Sequence, residues 1–154
     1  MAVSKEIVEF YTPKVEFQVA VNSDLGIANV KKGALYRVDT NGQLIATDDG
    51  ADNQTENDCI NIVVALVSGN RDDVKKIGKV SVAPIKNAVI RFRSTNSYDT
   101  GVAKGYKVYV KSGKLYKAVW DSGWKDQAGA EGKTVIPVGD VIESDTEGIT
   151  VVFD

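Results

Sequence analysis

Apolar and polar residues alternate with a period of two along much of this chain, most legibly in GYKVYVKSGKLYKAVWDSG, residues 105–123. Tyr106, Val108 and Val110 alternate with Lys107, Tyr109 and Lys111, the pattern of a strand with one buried face. Ser112-Gly113 supplies a turn in which glycine takes positive φ without steric cost. Beyond it Leu115 and Val119 resume one face, and Tyr116 and Trp120 take the other. A two-residue turn sets Val110 opposite Leu115 and Tyr109 opposite Tyr116. It also sets Lys111 opposite Lys114, a like-charge pair that requires both lysines to be solvated.

The chain carries an earlier hairpin of the same kind. GALYRVDTNGQLIATDDG, residues 33–50, predicts two strands around an Asn41-Gly42 type I′ turn. Val-x-Lys-Gly introduces both hairpins, as Val30, Lys32 and Gly33 and then as Val102, Lys104 and Gly105. The segments after the two hairpins echo each other as well: residues 62–67 match 136–141, and residues 78–82 match 148–152. Upstream, Phe17 and Val19 match Ile90 and Phe92. The offsets run from 70 to 74 residues, so the expectation is a degenerate twofold repeat, 15–86 and 87–154, within one β domain of residues 15–154.

Other segments read the same way. Val15, Phe17, Val19 and Val21 predict a strand with one buried face, and the apolar run 59–67 a strand buried on most sides. Residues 71–76 suffice for one helical turn, and no amphipathic helix of three turns appears. Strands are expected over 78–82, 88–93, 135–142 and 148–153, with Pro137 pointing to a sheet edge. In residues 1–14, Val3, Ile7, Val8, Phe10 and Tyr11 precede Pro13 without clean alternation. They predict either a first edge strand or an extended arm that pairs with a neighbour's sheet. The fold expected is all-β: a small barrel or two-sheet sandwich of about nine to eleven short antiparallel strands, with an extended N-terminal arm.

Composition narrows the function. At 154 residues the chain suits one domain, and 43% hydrophobic with 26% charged residues describes a globular protein. A net charge of −2 argues against a general nucleic-acid binder, which needs a concentrated basic surface. No apolar run is long enough to span a bilayer and residues 1–6 hold no signal-peptide core, so a cytosol-like compartment is expected. The single cysteine, Cys59, excludes an internal disulfide and reads as a small buried hydrophobe.

Histidine is absent, which removes His-based triads, His-ligated zinc and the usual general base near neutral pH. No phosphate-binding glycine loop or nucleophile elbow occurs, and Asp and Glu fall mainly in turns. The chain is therefore expected to be no enzyme and to hold no cofactor. DDGADNQTEND, residues 48–58, gathers Asp48, Asp49, Asp52, Glu56 and Asp58, but their spacing does not fit a calcium loop. It reads as a solvated loop, with no metal expected. Trp120 and Trp124 bracket Asp121-Ser122-Gly123. Trp120 reads as hairpin packing, whereas Trp124 either covers the adjacent loop or offers a stacking or hot-spot surface.

The paired hairpins, with Gly105, Tyr106, Val108, Tyr109 and Val110, and the ending with Val138, Gly139, Val141, Gly148 and Val151 resemble the small capsid decoration proteins of tailed bacteriophages, also called cement or head-stabilising proteins. The resemblance covers most of residues 15–154 and carries no catalytic signature. It implies a β-rich structural protein bound outside an assembled capsid, with the major capsid protein as partner. It further implies trimers at three-fold or quasi-three-fold positions, and in many such proteins a terminal arm that adds strands to the shell or a neighbour. The site implied is the virion exterior, after synthesis in the host cytoplasm. It assigns no contact residues. The candidate partner interface read from the chain itself is Val3, Ile7, Val8, Phe10, Tyr11 and Trp124. A carbohydrate-binding or adhesin module using Trp124, and a tail or baseplate protein, are the alternatives.

Overall fold

Thirteen short strands run through the residues that the computed structural model describes, 5–127 and 132–154. They are β1 (Val8–Phe10), β2 (Phe17–Val21), β3 (Leu35–Val38), β4 (Gln43–Ile45), β5 (Ile62–Ala65), β6 (Lys79–Pro84) and β7 (Val89–Phe92). Then come β8 (Lys107–Lys111), β9 (Lys114–Lys117), β10 (Val119–Trp120), β11 (Trp124–Lys125), β12 (Gly139–Ser144) and β13 (Ile149–Phe153). Among the described residues one α-helix, α1 (Asp72–Ile77), accompanies two short 3-10 turns and ends at Gly78 in the left-handed conformation. The architecture is all-β, as the alternation requires. Its strand number slightly exceeds expectation because β10 and β11, two residues each, are too short for pattern alone to separate from the flanking loop.

The two halves order their strands alike. β2-β4-β3-β5-β6 close into a barrel, and β1-β7-β13-β12-β8-β9 form a six-stranded sheet. Written from its own hairpin, the first half runs β4-β3-β5-β6-β2 and the second runs β9-β8-β12-β13-β7. The barrel closes through a parallel pairing, Val21 beside Leu44, which departs from the antiparallel arrangement expected throughout. A single parallel bridge, Tyr98 to Leu115, stands at the corresponding place in the second half.

The registers correct the sequence alignment of the halves. Val19 pairs Val80 as Ile90 pairs Val151, and Tyr36 pairs Val63 as Val108 pairs Gly139. Val19 thus corresponds to Ile90 rather than Phe92, and Val80 to Val151 rather than Thr150. A one-residue slip would turn every side chain to the opposite face, so burial selects the observed register.

Two large cores result. Val19, Tyr36, Leu44, Val63, Val80 and Val82 fill the barrel interior. Leu35, Ile62, Val64 and Ala83 face outward from the same strands and join Ile90, Phe92, Val108, Leu115, Val151 and Phe153. β5 is buried at all four positions because it serves both cores, which is why its sequence is an unbroken apolar run.

The second hairpin has the register its pattern predicts: Val110 with Leu115, Tyr109 with Tyr116, and Lys111 with Lys114. The Lys111 ammonium lies 4.4 Å from the Tyr116 ring centroid, a favourable cation–π contact. Ser112 and Gly113 both take positive φ, 50° and 81°, as a type I′ turn requires. The first hairpin differs. Asp39 pairs with Gln43 through a 2.9 Å backbone bond, leaving a three-residue loop of Thr40, Asn41 and Gly42. The Asp39 carboxylate accepts the backbone N–H groups of Asn41 and Gln43, each at 2.9 Å, and only Gly42 needs positive φ.

The described part of the N-terminal segment is the edge strand of its own sheet rather than a free arm. Val8 pairs Phe92, Glu9 pairs Arg91 and Phe10 pairs Ile90. Arg93 donates its backbone N–H to the Ile7 carbonyl at 2.8 Å, and Tyr11 donates to the Val89 carbonyl at 2.8 Å. Burial of Val8 with Ile7 and Phe10 against the shared core explains the docking.

Candidate functional site

Two exposed surfaces carry recognition chemistry. The first lies where β1 meets β2. Ile7 and Tyr11 turn their backbone groups toward β7, so the alternation of the strand turns those of Val8 and Phe10 to the outer edge. β1 is the last strand of the sheet on this side. Beyond it, Tyr11, Val15 and Phe17 are 55%, 67% and 38% exposed. The sequence pattern puts Val15 and Phe17 on a buried face with Val19. The alternation is present, but only Val19 and Val21 pack against the barrel core, while Phe17 pairs with Val82 of β6 and keeps its side chain largely in solvent. Glu16 accepts a 2.6 Å hydrogen bond from the Ser81 hydroxyl and lies 3.6 Å from the Lys14 ammonium, so its carboxyl stays below the usual glutamate range.

The second surface is an aromatic cleft of about 510 Å³ beside β8 and the small β10–β11 sheet. Ala118 is buried and continues the β9 ladder with a 2.9 Å bond from its N–H to the Lys107 carbonyl. The chain then leaves the sheet, and Trp120 pairs across a short turn with Trp124. Ser122 and Gly123 take positive φ in that turn. The indoles meet edge to face, 5.2 Å between centroids at 74°. Trp124 is half-buried against Tyr109, Ala118 and Val135, whereas Trp120 is 65% exposed. This reverses the expectation that Trp120 packs into the hairpin: β9 stops at Lys117, three residues short of it.

Tyr106 precedes β8 and is exposed, although its sequence pattern groups it with buried Val108 and Val110. The Lys117 ammonium sits 4.5 Å from its ring centroid. Lys107 donates to Asp140 at 2.9 Å and lies 5.9 Å from the Trp124 ring. The Asp140 hydrogen bond holds the Lys107 ammonium above the ordinary lysine range, so it is charged at neutral pH.

The predicted interface residues therefore divide. Ile7, Val8 and Phe10 belong largely to the chain's own core, Tyr11 is exposed beside the β1 edge, and Trp124 braces the aromatic cleft on a different sheet. Val3 lies outside the described residues. Pattern reading misses Val15, Phe17, Tyr106 and Trp120 as surface residues. The signal that finds them is position, since each sits at or just beyond the end of a strand, where the body no longer covers it.

The acidic loop is organised by the protein itself. Buried Gln54 donates to the Val110 carbonyl at 2.8 Å and accepts the Ile136 N–H at 2.9 Å. Thr55 and Asp58 form a reciprocal cap on the short turn Glu56–Cys59. Among the described residues no three His, Cys, Asp or Glu side chains converge as a metal site. Burial pushes the Cys59 thiol up to about 11, with Asp58 and Asp48 adding to it, so the sulfur is protonated at neutral pH. No helix among the described residues is long and apolar enough to cross a membrane. Comparison with protein-family models, with curated proteins and with solved structures gave no match.

Proposed function

We propose that this chain is a non-enzymatic structural protein that binds the outside of an assembled phage capsid and stabilises it by bridging neighbouring capsomers. The observation that carries the reading is the open β1 edge, followed in the chain by the exposed side chains of Tyr11, Val15 and Phe17. Such an edge accepts a further strand from a partner, and the exposed apolar side chains that follow it in the chain add contact area. The major capsid protein is the partner, three copies act together at three-fold positions, and the site of action is the capsid exterior.

The physics of stabilisation is linkage. A protein that binds the assembled lattice but not free subunits adds roughly 2.7 kcal/mol per site at 100 times its Kd. Many weak copies spanning capsomer boundaries act together through effective concentration.

The test is the heat-disruption temperature of expanded capsids of the encoding virus, with and without the purified protein. The temperature rises with added protein, and rises less with a Tyr11→Glu, Val15→Glu, Phe17→Glu triple variant. Binding to no capsid state would overturn the proposal.

A further inference from the structure

From the geometry of the aromatic cleft we infer that it is a binding site for an acidic glycan, a pyranose chain bearing carboxylates. This does not rest on the capsid reading and uses different residues. Three features converge. Trp120 presents an exposed indole held in place by Trp124, and a fixed aromatic ring is the surface on which the CH face of a pyranose stacks at little entropic cost.

Within the same cleft Lys107 and Asp140 form an ion pair at 2.9 Å. An ammonium has three donors and a carboxylate two acceptor oxygens, and this pair engages one of each. What remains matches a vicinal diol, one hydroxyl donating to Asp140 and its neighbour accepting from Lys107.

The third feature is charge. Three charged residues line the cleft: Lys107 and Asp140 pair with each other, and the third is Lys117, whose ammonium lies 4.5 Å from the Tyr106 ring centroid. Cations near an aromatic face keep much of their charge for a second partner, because the ring compensates only part of the lost hydration. A neutral sugar would use the stacking indole and the ion pair but make no use of the Lys117 ammonium, which forms no ion pair within 4.0 Å among the described residues. A uronate or sialate carboxylate supplies the counter-charge. The residues lie on β8, β12, the end of β9 and the β10–β11 turn sheet, so the cleft is anchored to the packed sheet and not to a loose loop.

The experiment is titration of the full chain with hyaluronan hexasaccharide, oligogalacturonate and oligosialic acid, with neutral chitohexaose as the control, monitored by tryptophan fluorescence and calorimetry. At least one acidic probe binds and changes the emission of Trp120. Trp120→Ala abolishes binding, and Lys117→Gln weakens it about tenfold, with a matching loss of salt dependence. Both positions are at the surface, and a near-native melting temperature of each variant confirms that the fold persists. Silence with all three acidic probes overturns the inference. So does equal affinity for chitohexaose, which would remove the role of Lys117, and so does binding that survives both substitutions, which would place the glycan elsewhere.

Discussion

Arg91 shows how a single residue sets a condition on the whole molecule. It sits on β7 with almost no exposure and reaches Thr150 at 3.3 Å and Asp145 at 2.6 Å. Asp145 also accepts the backbone N–H groups of Glu147 and Gly148, and these bonds with the Arg91 contact hold its carboxyl below the usual aspartate range. A carboxyl depressed in the folded state contributes stability that is fully present above its unfolded pKa, about 3.9. That contribution is lost as pH falls through the lower folded value. The melting temperature should therefore drop as pH falls below about 4, and Asp145→Asn should lower it at pH 7 while flattening that acid limb. An unchanged acid limb in the variant would contradict the assignment. Little of this is legible in the sequence. Arg91 alternates with Ile90 and Phe92, and only the tertiary fold brings Asp145 to it.

Elements are more legible, because a strand pair needs only local chemistry. Ser112-Gly113 and the alternation on either side determine three cross-strand pairs of the β8–β9 hairpin before any tertiary contact is considered. The β3–β4 turn is harder. Asn41-Gly42 carries the two-residue signal, but the Asp39 side chain caps two backbone N–H groups and favours a loop one residue longer. Strand ends are least legible, since coverage by the body decides them, and this is why alternation misplaces Trp120 and Phe17. Between β12 and β13, Gly148 passes so near β7 that an added Cβ would run into the Phe92 carbonyl oxygen, which is backbone and cannot swing aside. Gly148→Ala should accordingly cost about 1–3 kcal/mol in chemical denaturation, the range of an overpacked site. A neutral result would show that β13 can shift.

For the whole molecule, the shared core decides how the halves behave. The repeated Val-x-Lys-Gly hairpins point to two like units, and the strand orders of the two halves agree. The sequence does not reveal that Leu35, Ile62, Val64 and Ala83 turn away from the barrel interior to pack with the second half: β5 is apolar on both faces, and on β3 and β6 the outward face mixes Leu35 with Arg37 and Ala83 with Ser81. Neither half can bury these residues alone. Calorimetry should show one cooperative transition with an enthalpy of roughly 100 kcal/mol, and two separated transitions would refute a common core. The most direct measurement of the proposed capsid binding is co-sedimentation of the purified protein with expanded and unexpanded tailed-phage capsids. The account predicts saturable binding to expanded shells, little to unexpanded ones, and loss of binding when Tyr11, Val15 and Phe17 are all changed to Glu. Full binding by that triple variant would contradict the proposed edge, and no sedimentation with either shell would contradict the capsid assignment itself.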